Sequence, residues 1–172
     1  MSMNPTHSST PASAAFPAGA QHDAQPVSIA QLRDLPFFED FSDTHLAELA
    51  PHTKVSYFQT GQPMLTQGEL ANRFYVLVYG RAVIECKIRE EILPVQEIGP
   101  GEAVGFSWFF TPEKLHFTAR ATEPVKAIFF YGTLLREDCE LDPSLGYQLM
   151  LRTGRILVER MDALVGLLTK RE

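Results

Sequence analysis

From Ser28 onward, apolar and polar positions fall into a readable order. Ile29, Leu32 and Leu35 share one helical face, and Pro36 ends the run. A second short helix is predicted from Ser42 or Asp43, either a competent N-cap, through Leu46 and Leu49 to Pro51. The period then shortens. Lys54–Phe58, Pro63–Thr66, Arg73–Tyr79, Ala82–Ile88, Leu93–Ile98, Phe117–Ala121 and Val125–Tyr131 are runs rich in Val, Ile, Phe and Tyr, with turn residues at Gly61, Gly68, Gly80 and Gly99–Gly101. Seven or eight short strands over residues 53–131, with no helices between them, predict a sandwich or barrel rather than a parallel sheet.

Residues 132–170 read as helices again, with Asp142-Pro143 as an entry because proline in a first turn sacrifices no hydrogen bond. Met150, Gly154, Leu157, Met161, Leu164 and Leu168 follow at steps of 4, 3, 4, 3 and 4, an a/d heptad seam. Leu151, Val158 and Val165 widen the stripe. The chain's own barrel could cover part of it, but a stripe this wide predicts a homodimer through this helix, with Gly154 allowing two backbones to approach closely.

Composition separates the first 27 residues from the rest. Pro, Ser and Ala fill 14 of those positions and Asp23 is their one charged side chain, so residues 1–27 are expected to be a disordered tail preceding a domain at 28–172. The tail has neither the basic start nor the apolar centre of a secretory signal. The longest unbroken apolar run, Phe74 to Tyr79, is far too short to span a bilayer, so no membrane partner is expected. Fifteen Lys and Arg against 21 Asp and Glu give a formal charge of −6, which offers little non-specific attraction to nucleic acid. Cys86 and Cys139 stand alone without a C-x-x-C or C-x-x-H spacing, which argues against structural zinc, iron–sulfur clusters and a disulfide scaffold and makes the cytoplasm the expected compartment.

Several motifs occur in a specific order: Leu35-Pro36-Phe37-Phe38 before a short helix, Gly61 after Phe58-Gln59-Thr60, Gly68 in Thr66-Gln67-Gly68-Glu69, then Phe74-Tyr75-Val76-Leu77-Val78-Tyr79-Gly80-Arg81-Ala82-Val83, and leucine-rich helices after Asp142-Pro143. In this order the chain resembles the cyclic nucleotide-binding domain family, in its Crp/Fnr-like sensor form, over about residues 30–168. The resemblance implies a mainly β fold with flanking helices: an eight-stranded β-roll of the double-stranded β-helix or jelly-roll type, short N-terminal helices and a long C-terminal dimerisation helix. Activators of this type carry about 60–80 further residues as a helix-turn-helix after the dimer helix, whereas this sequence ends at Glu172, so a stand-alone domain without direct DNA contact is expected.

The resemblance also implies a phosphate-binding cassette, in which a Glu holds the ribose hydroxyl and an Arg pairs with the cyclic phosphate. Gly101-Glu102 offers the letters of its start, but the family's sixteen-residue span from cassette Gly to closing Ala fits Gly105 to Ala121. Gly101-Glu102-Ala103-Val104-Gly105 then matches the preceding turn. In this register Phe106 stands for the ribose Glu and Leu115 for the phosphate Arg, while Thr118 is retained. Ile156 falls near the position where activator-type members place an Arg that reaches the Glu, and Arg160, one turn on, is expected at the pocket mouth.

The expected pocket therefore comprises Gly105, Phe106, Ser107, Trp108, Leu115, His116, Phe117, Thr118 and Arg160. Binding of cAMP or cGMP is expected to be weak, altered or absent. A shifted nucleotide pose would have to use His116, Thr118, Arg120 or Arg160. The aromatic cassette could line a site for a planar or apolar ligand or fill the cavity, and Trp108 and Phe109 could lie exposed for a partner. No metal site is expected, because His7, His22, His45, His52 and His116 include only one residue within the roll. No nucleophile with an oriented base and no P-loop or dinucleotide fingerprint appears, so no enzyme activity is expected. The reading is a sensor or regulatory domain in signal transduction with another protein as its output; the alternative is a scaffold module with a closed pocket and no ligand.

Overall fold

The computed structural model describes residues 20–23, 26–110 and 114–169, and each early helix begins after a serine cap. Helix α1, Ile29–Arg33, starts with a capping box: Ser28 Oγ accepts from the Gln31 amide, and Gln31 Oε1 accepts from the Ser28 amide. It ends at Arg33, ahead of Pro36, and Pro36–Phe38 form a separate 3-10 turn. Helix α2, Asp43–Leu49, is capped by Ser42, whose hydroxyl accepts from the His45 amide.

Among the described residues nine strands follow the chain order β1 Gln21–His22, β2 Thr53–Phe58, β3 Pro63–Leu65, β4 Arg73–Tyr79, β5 Ala82–Ile88, β6 Glu91–Ile98, β7 Ala103–Val104, β8 Thr118–Ala121 and β9 Val125–Tyr131. They form two antiparallel sheets, β1-β2-β9-β4-β7 and β3-β8-β5-β6. Strands β2 to β9 make the eight-stranded jelly roll. Strand β1 is an addition to its edge, with Gln21 opposite Tyr57 and His22 opposite Ser56. It lies inside the stretch read from composition as a tail; residues 1–19, 24 and 25 of that stretch lie outside the described residues.

The central strands β4 and β9 are buried on both faces, so their sequences read as unbroken apolar runs instead of alternating. Phe74, Val76, Ile128 and Phe130 face a core shared with Phe37, Phe38, Leu46, Trp108, Leu145 and Leu149. Their neighbours Tyr75, Leu77, Ala127 and Phe129 point between the sheets, against Phe58, Met64, Ile84 and Ile98. The rings pack edge-on, with Phe37–Phe38 centroids 4.9 Å and Phe38–Phe41 centroids 5.2 Å apart.

Helix α3, Gly132–Leu141, leads into α4, Pro143–Thr169. The buried residues of α4 are Leu145, Leu149, Thr153 and Arg160, with Ile156 half-buried between the last two. An ion pair from Arg152 to Asp40 (2.7 Å) and a hydrogen bond between His52 and Asp138 (2.8 Å) tie α3 and α4 to the N-terminal part of the chain. On the opposite side Met150, Leu151, Leu157, Val158, Met161, Val165 and Leu168 are all exposed. The a/d seam therefore runs along the outside of the helix, except that Leu164 leans onto the inter-sheet core. No helix among the described residues is long and apolar enough to cross a membrane.

Candidate functional site

The site is built where β7 turns into the cassette. Glu102 Oε2 accepts the Gly99 amide at 2.7 Å, so the one carboxylate in the tempting Gly101-Glu102 pair closes a turn. Gly105 follows with φ +95°, and a Cβ there would lie 2.3 Å from the Arg73 carbonyl oxygen. That left-handed residue releases the chain from β7 into a short 3-10 helix, Phe106–Phe109.

Between this helix, β8 and α4 lies a cavity of about 170 Å³. Gly105, Phe106, Ser107, Leu115, His116, Phe117, Thr118 and Arg160 line it, together with Leu65, Ile84, Val104, Phe110, Ala119 and Leu157. Eight of the nine predicted pocket residues thus come together. Trp108 is the correction. Its side chain is fully buried in the core it shares with Phe74 and Leu135, stacked on Phe109 at 3.7 Å and packed against Gly132, so it neither lines the cavity nor offers itself to a partner. Phe109 is likewise packed on that core, leaving Phe110 as the exposed ring of the cassette.

The polar groups of the wall differ in availability. The Thr118 hydroxyl already accepts from the Gln67 amide at 3.1 Å. Arg120 faces away from the cavity, donating to Glu85 at 3.3 Å and to the Gly61 carbonyl at 3.0 Å. His116 is exposed at the rim and Ser107 is half-buried. Arg160 reaches in from α4: its Nη2 donates to the Ala103 carbonyl at 2.8 Å, and its guanidinium carbon lies 5.4 Å from the centre of the Phe106 ring. Burial lowers its pKa to about 10, an effect that Glu102 and Glu159 partly oppose, so it stays charged at neutral pH. Phe106 is held by Phe74 and Phe37 at 5.3 and 6.4 Å, which makes it a fixed wall.

Apart from Leu115, sequence reasoning missed the aliphatic lining. Leu157 was visible only as a seam residue, yet it serves both the outer stripe and the cavity. The arrangement is a mainly apolar chamber with one buried cation. Among the described residues no group of three His, Cys, Asp or Glu side chains could hold a metal ion. The thiol of Cys139, in α3, is pushed up to about 11 by burial and by Asp138, Asp142 and Glu140, the reverse of an activated nucleophile.

Residues 55–140 match the family model of the cyclic nucleotide-binding domain. Among solved structures, the chain is similar to a protein from Geobacter metallireducens described as cyclic nucleotide-binding, with 27% identity and a TM-score of 0.71 over 78% of this chain and 98% of that one. A cyclic nucleotide-binding domain from Methylobacillus flagellatus superposes with a TM-score of 0.75 at 17% identity, covering 88% and 89% of the two chains. The sensor domain of the transcriptional regulator DNR from Pseudomonas aeruginosa gives 0.63 at 21% identity over 77% and 90%. A comparison with curated proteins returned no match.

Proposed function

Since the chain belongs to the cyclic nucleotide-binding domain family, we propose that it is a cytoplasmic sensor or regulatory domain in signal transduction whose pocket has lost the ordinary cyclic-nucleotide contacts. The observation that carries this reading is the cavity wall itself. Phe106 and Leu115 line it at the positions where the family resemblance places the ribose Glu and the phosphate Arg, and Glu102 is committed to its turn. A missing charge-assisted bond to phosphate costs roughly 1.5–3 kcal/mol, which is about ten- to a hundredfold in affinity. The volume points the same way, because about 170 Å³ lies below the roughly 300–1,000 Å³ of pockets for drug-sized ligands. The same open chamber weighs against a purely structural module with a filled pocket.

The output surface in this reading is the outer face of α4. Its exposed apolar stripe from Met150 to Leu168 is wider than a single solvated helix requires, and a Cβ at Gly154 would meet no atom within 4 Å. A second copy would cover this stripe through an isologous contact, with another protein receiving the signal from the dimer. Leu157 and Arg160 connect the two functions, since both line the cavity from the helix that carries the stripe. A ligand that packs differently against these two side chains shifts the position of α4.

Thermal unfolding of the full chain with cAMP, cGMP and cyclic dinucleotides at millimolar concentration tests the reading. An unchanged midpoint with each nucleotide is expected. A rise of several degrees with any one of them, as about 2.7 kcal/mol of linkage at 100 times Kd would give, overturns it.

A further inference from the structure

The cavity contains a charge that no ion pair among the described residues neutralises; Glu102 and Glu159 offset it only at longer range. Arg160 is 6% exposed, and one of its nitrogens caps the Ala103 carbonyl. Its Nε is buried with no acceptor, and among the described residues no carboxylate forms an ion pair with it. Buried guanidinium groups are ordinarily paired, because removing a full charge from water without a counter-charge is strongly unfavourable. The Phe106 ring beneath it accounts for its position but brings no negative charge.

The rest of the chamber states what the counter-charge would be attached to. Leu65, Ile84, Val104, Leu115 and Leu157 give it an aliphatic wall. A dry apolar cavity of about 150 Å³ accommodates benzene; this chamber, which opens at a rim of His116 and Phe110 and also carries Ser107 and Thr118, has about 170 Å³. One guanidinium balances one negative charge and matches the planar fork of a carboxylate, whereas a phosphate dianion would keep half its charge unpaired among leucines. We propose that the cavity binds a small organic monocarboxylate of about benzoate size, its apolar body against the aliphatic wall and its carboxylate on Arg160. This rests on the reading that cyclic nucleotides are not the ligand, and it names what takes their place. Binding would draw Arg160, and with it α4, toward the cassette.

The test uses the full chain and sodium benzoate, phenylacetate and hexanoate at 10 mM, each against its neutral amide at the same ionic strength, with cAMP and cGMP measured alongside. At least one carboxylate should raise the unfolding midpoint while its amide does not. In calorimetry Arg160→Gln should weaken that carboxylate about ten- to a hundredfold, as loss of a charge-assisted bond predicts. Arg160→Gln also removes a bond to Ala103, so the acid–amide comparison on the unaltered chain decides if that variant does not fold. Equal shifts from acid and amide, or no shift from any carboxylate, overturn the proposal. If the nucleotides are also silent, the reading of the pocket as non-nucleotide stands without it; a nucleotide shift overturns that reading as well.

Discussion

Gly105 leaves almost no room for a side chain, and substituting it tests how the cassette is positioned. At φ +95° any L side chain carries left-handed strain of roughly 1–2 kcal/mol. Gly61 has nearly the same dihedral, φ +84°, but a Cβ there would enter open space, with nothing within 4 Å. Gly61→Ala therefore measures the dihedral strain alone. In Gly105→Ala the new methyl lies 2.3 Å from the Arg73 carbonyl oxygen and 3.1 Å from Leu65 Cδ1. The carbonyl belongs to the buried first residue of β4 and cannot move without disturbing its pairing with β9. Overpacking of this kind adds about 1–3 kcal/mol, for a total of roughly 2–5. At about 2–4 °C per kcal/mol for a chain of this size, Gly105→Ala should melt at least about 2 °C below Gly61→Ala. Scanning calorimetry of the two variants beside the parent chain gives both differences. Coincident midpoints would refute the steric account of the turn and, with it, the placement of the short helix against Arg73.

Three further outcomes follow from the geometry. Met161→Asp places a charge on the exposed stripe of α4 and should convert a sedimenting dimer to monomer while moving monomer stability by no more than about 0.5 kcal/mol; an unchanged dimer would contradict the stripe as the interface. His22, on the added strand, has its pKa lowered by burial and then by Lys54, so the folded state favours the neutral ring. Its contribution is present above the ordinary histidine value of 6.5 and is lost as pH falls below it. The parent chain should lose more stability than His22→Asn between pH 7.5 and 5.5, and parallel losses would contradict this. Cys139, with its thiol raised to about 11, should react slowly with a thiol reagent at pH 8 in a Cys86→Ser background and speed up only toward that value; rapid labelling at pH 8 would place it in a different environment.

The parts of this structure legible in the sequence are those in which one physical demand dominates. Strands β4 and β9 must satisfy two cores at once, and their unbroken apolar runs announce it. Ser28 and Ser42 announce helix starts because unpaired amides there need an acceptor. Strand β7 is two residues long and strand β1 is Gln21-His22, so neither carries a period to detect. The side chains of the short 3-10 helix diverge by about a third of a turn per residue. Four consecutive residues, three of them aromatic, therefore could not be sorted by spacing: Phe106 lines both the cavity and the core beside it, whereas Trp108 lies in that core alone. On α4 the outer seam dominated the pattern, and the inward row of Leu145, Leu149, Thr153 and Arg160 was masked by its polar members. A charged residue on that row was the available signal for the buried guanidinium.

If the chamber of this cyclic nucleotide-binding fold is unsuited to cyclic nucleotides, as proposed, isothermal titration of cAMP into the full chain will show it. No saturable heat up to millimolar nucleotide is expected, because Phe106 and Leu115 supply neither the ribose acceptor nor the phosphate cation. A stoichiometric isotherm with a micromolar Kd would contradict it and would mean that Arg160 holds the cyclic phosphate in a pose of its own.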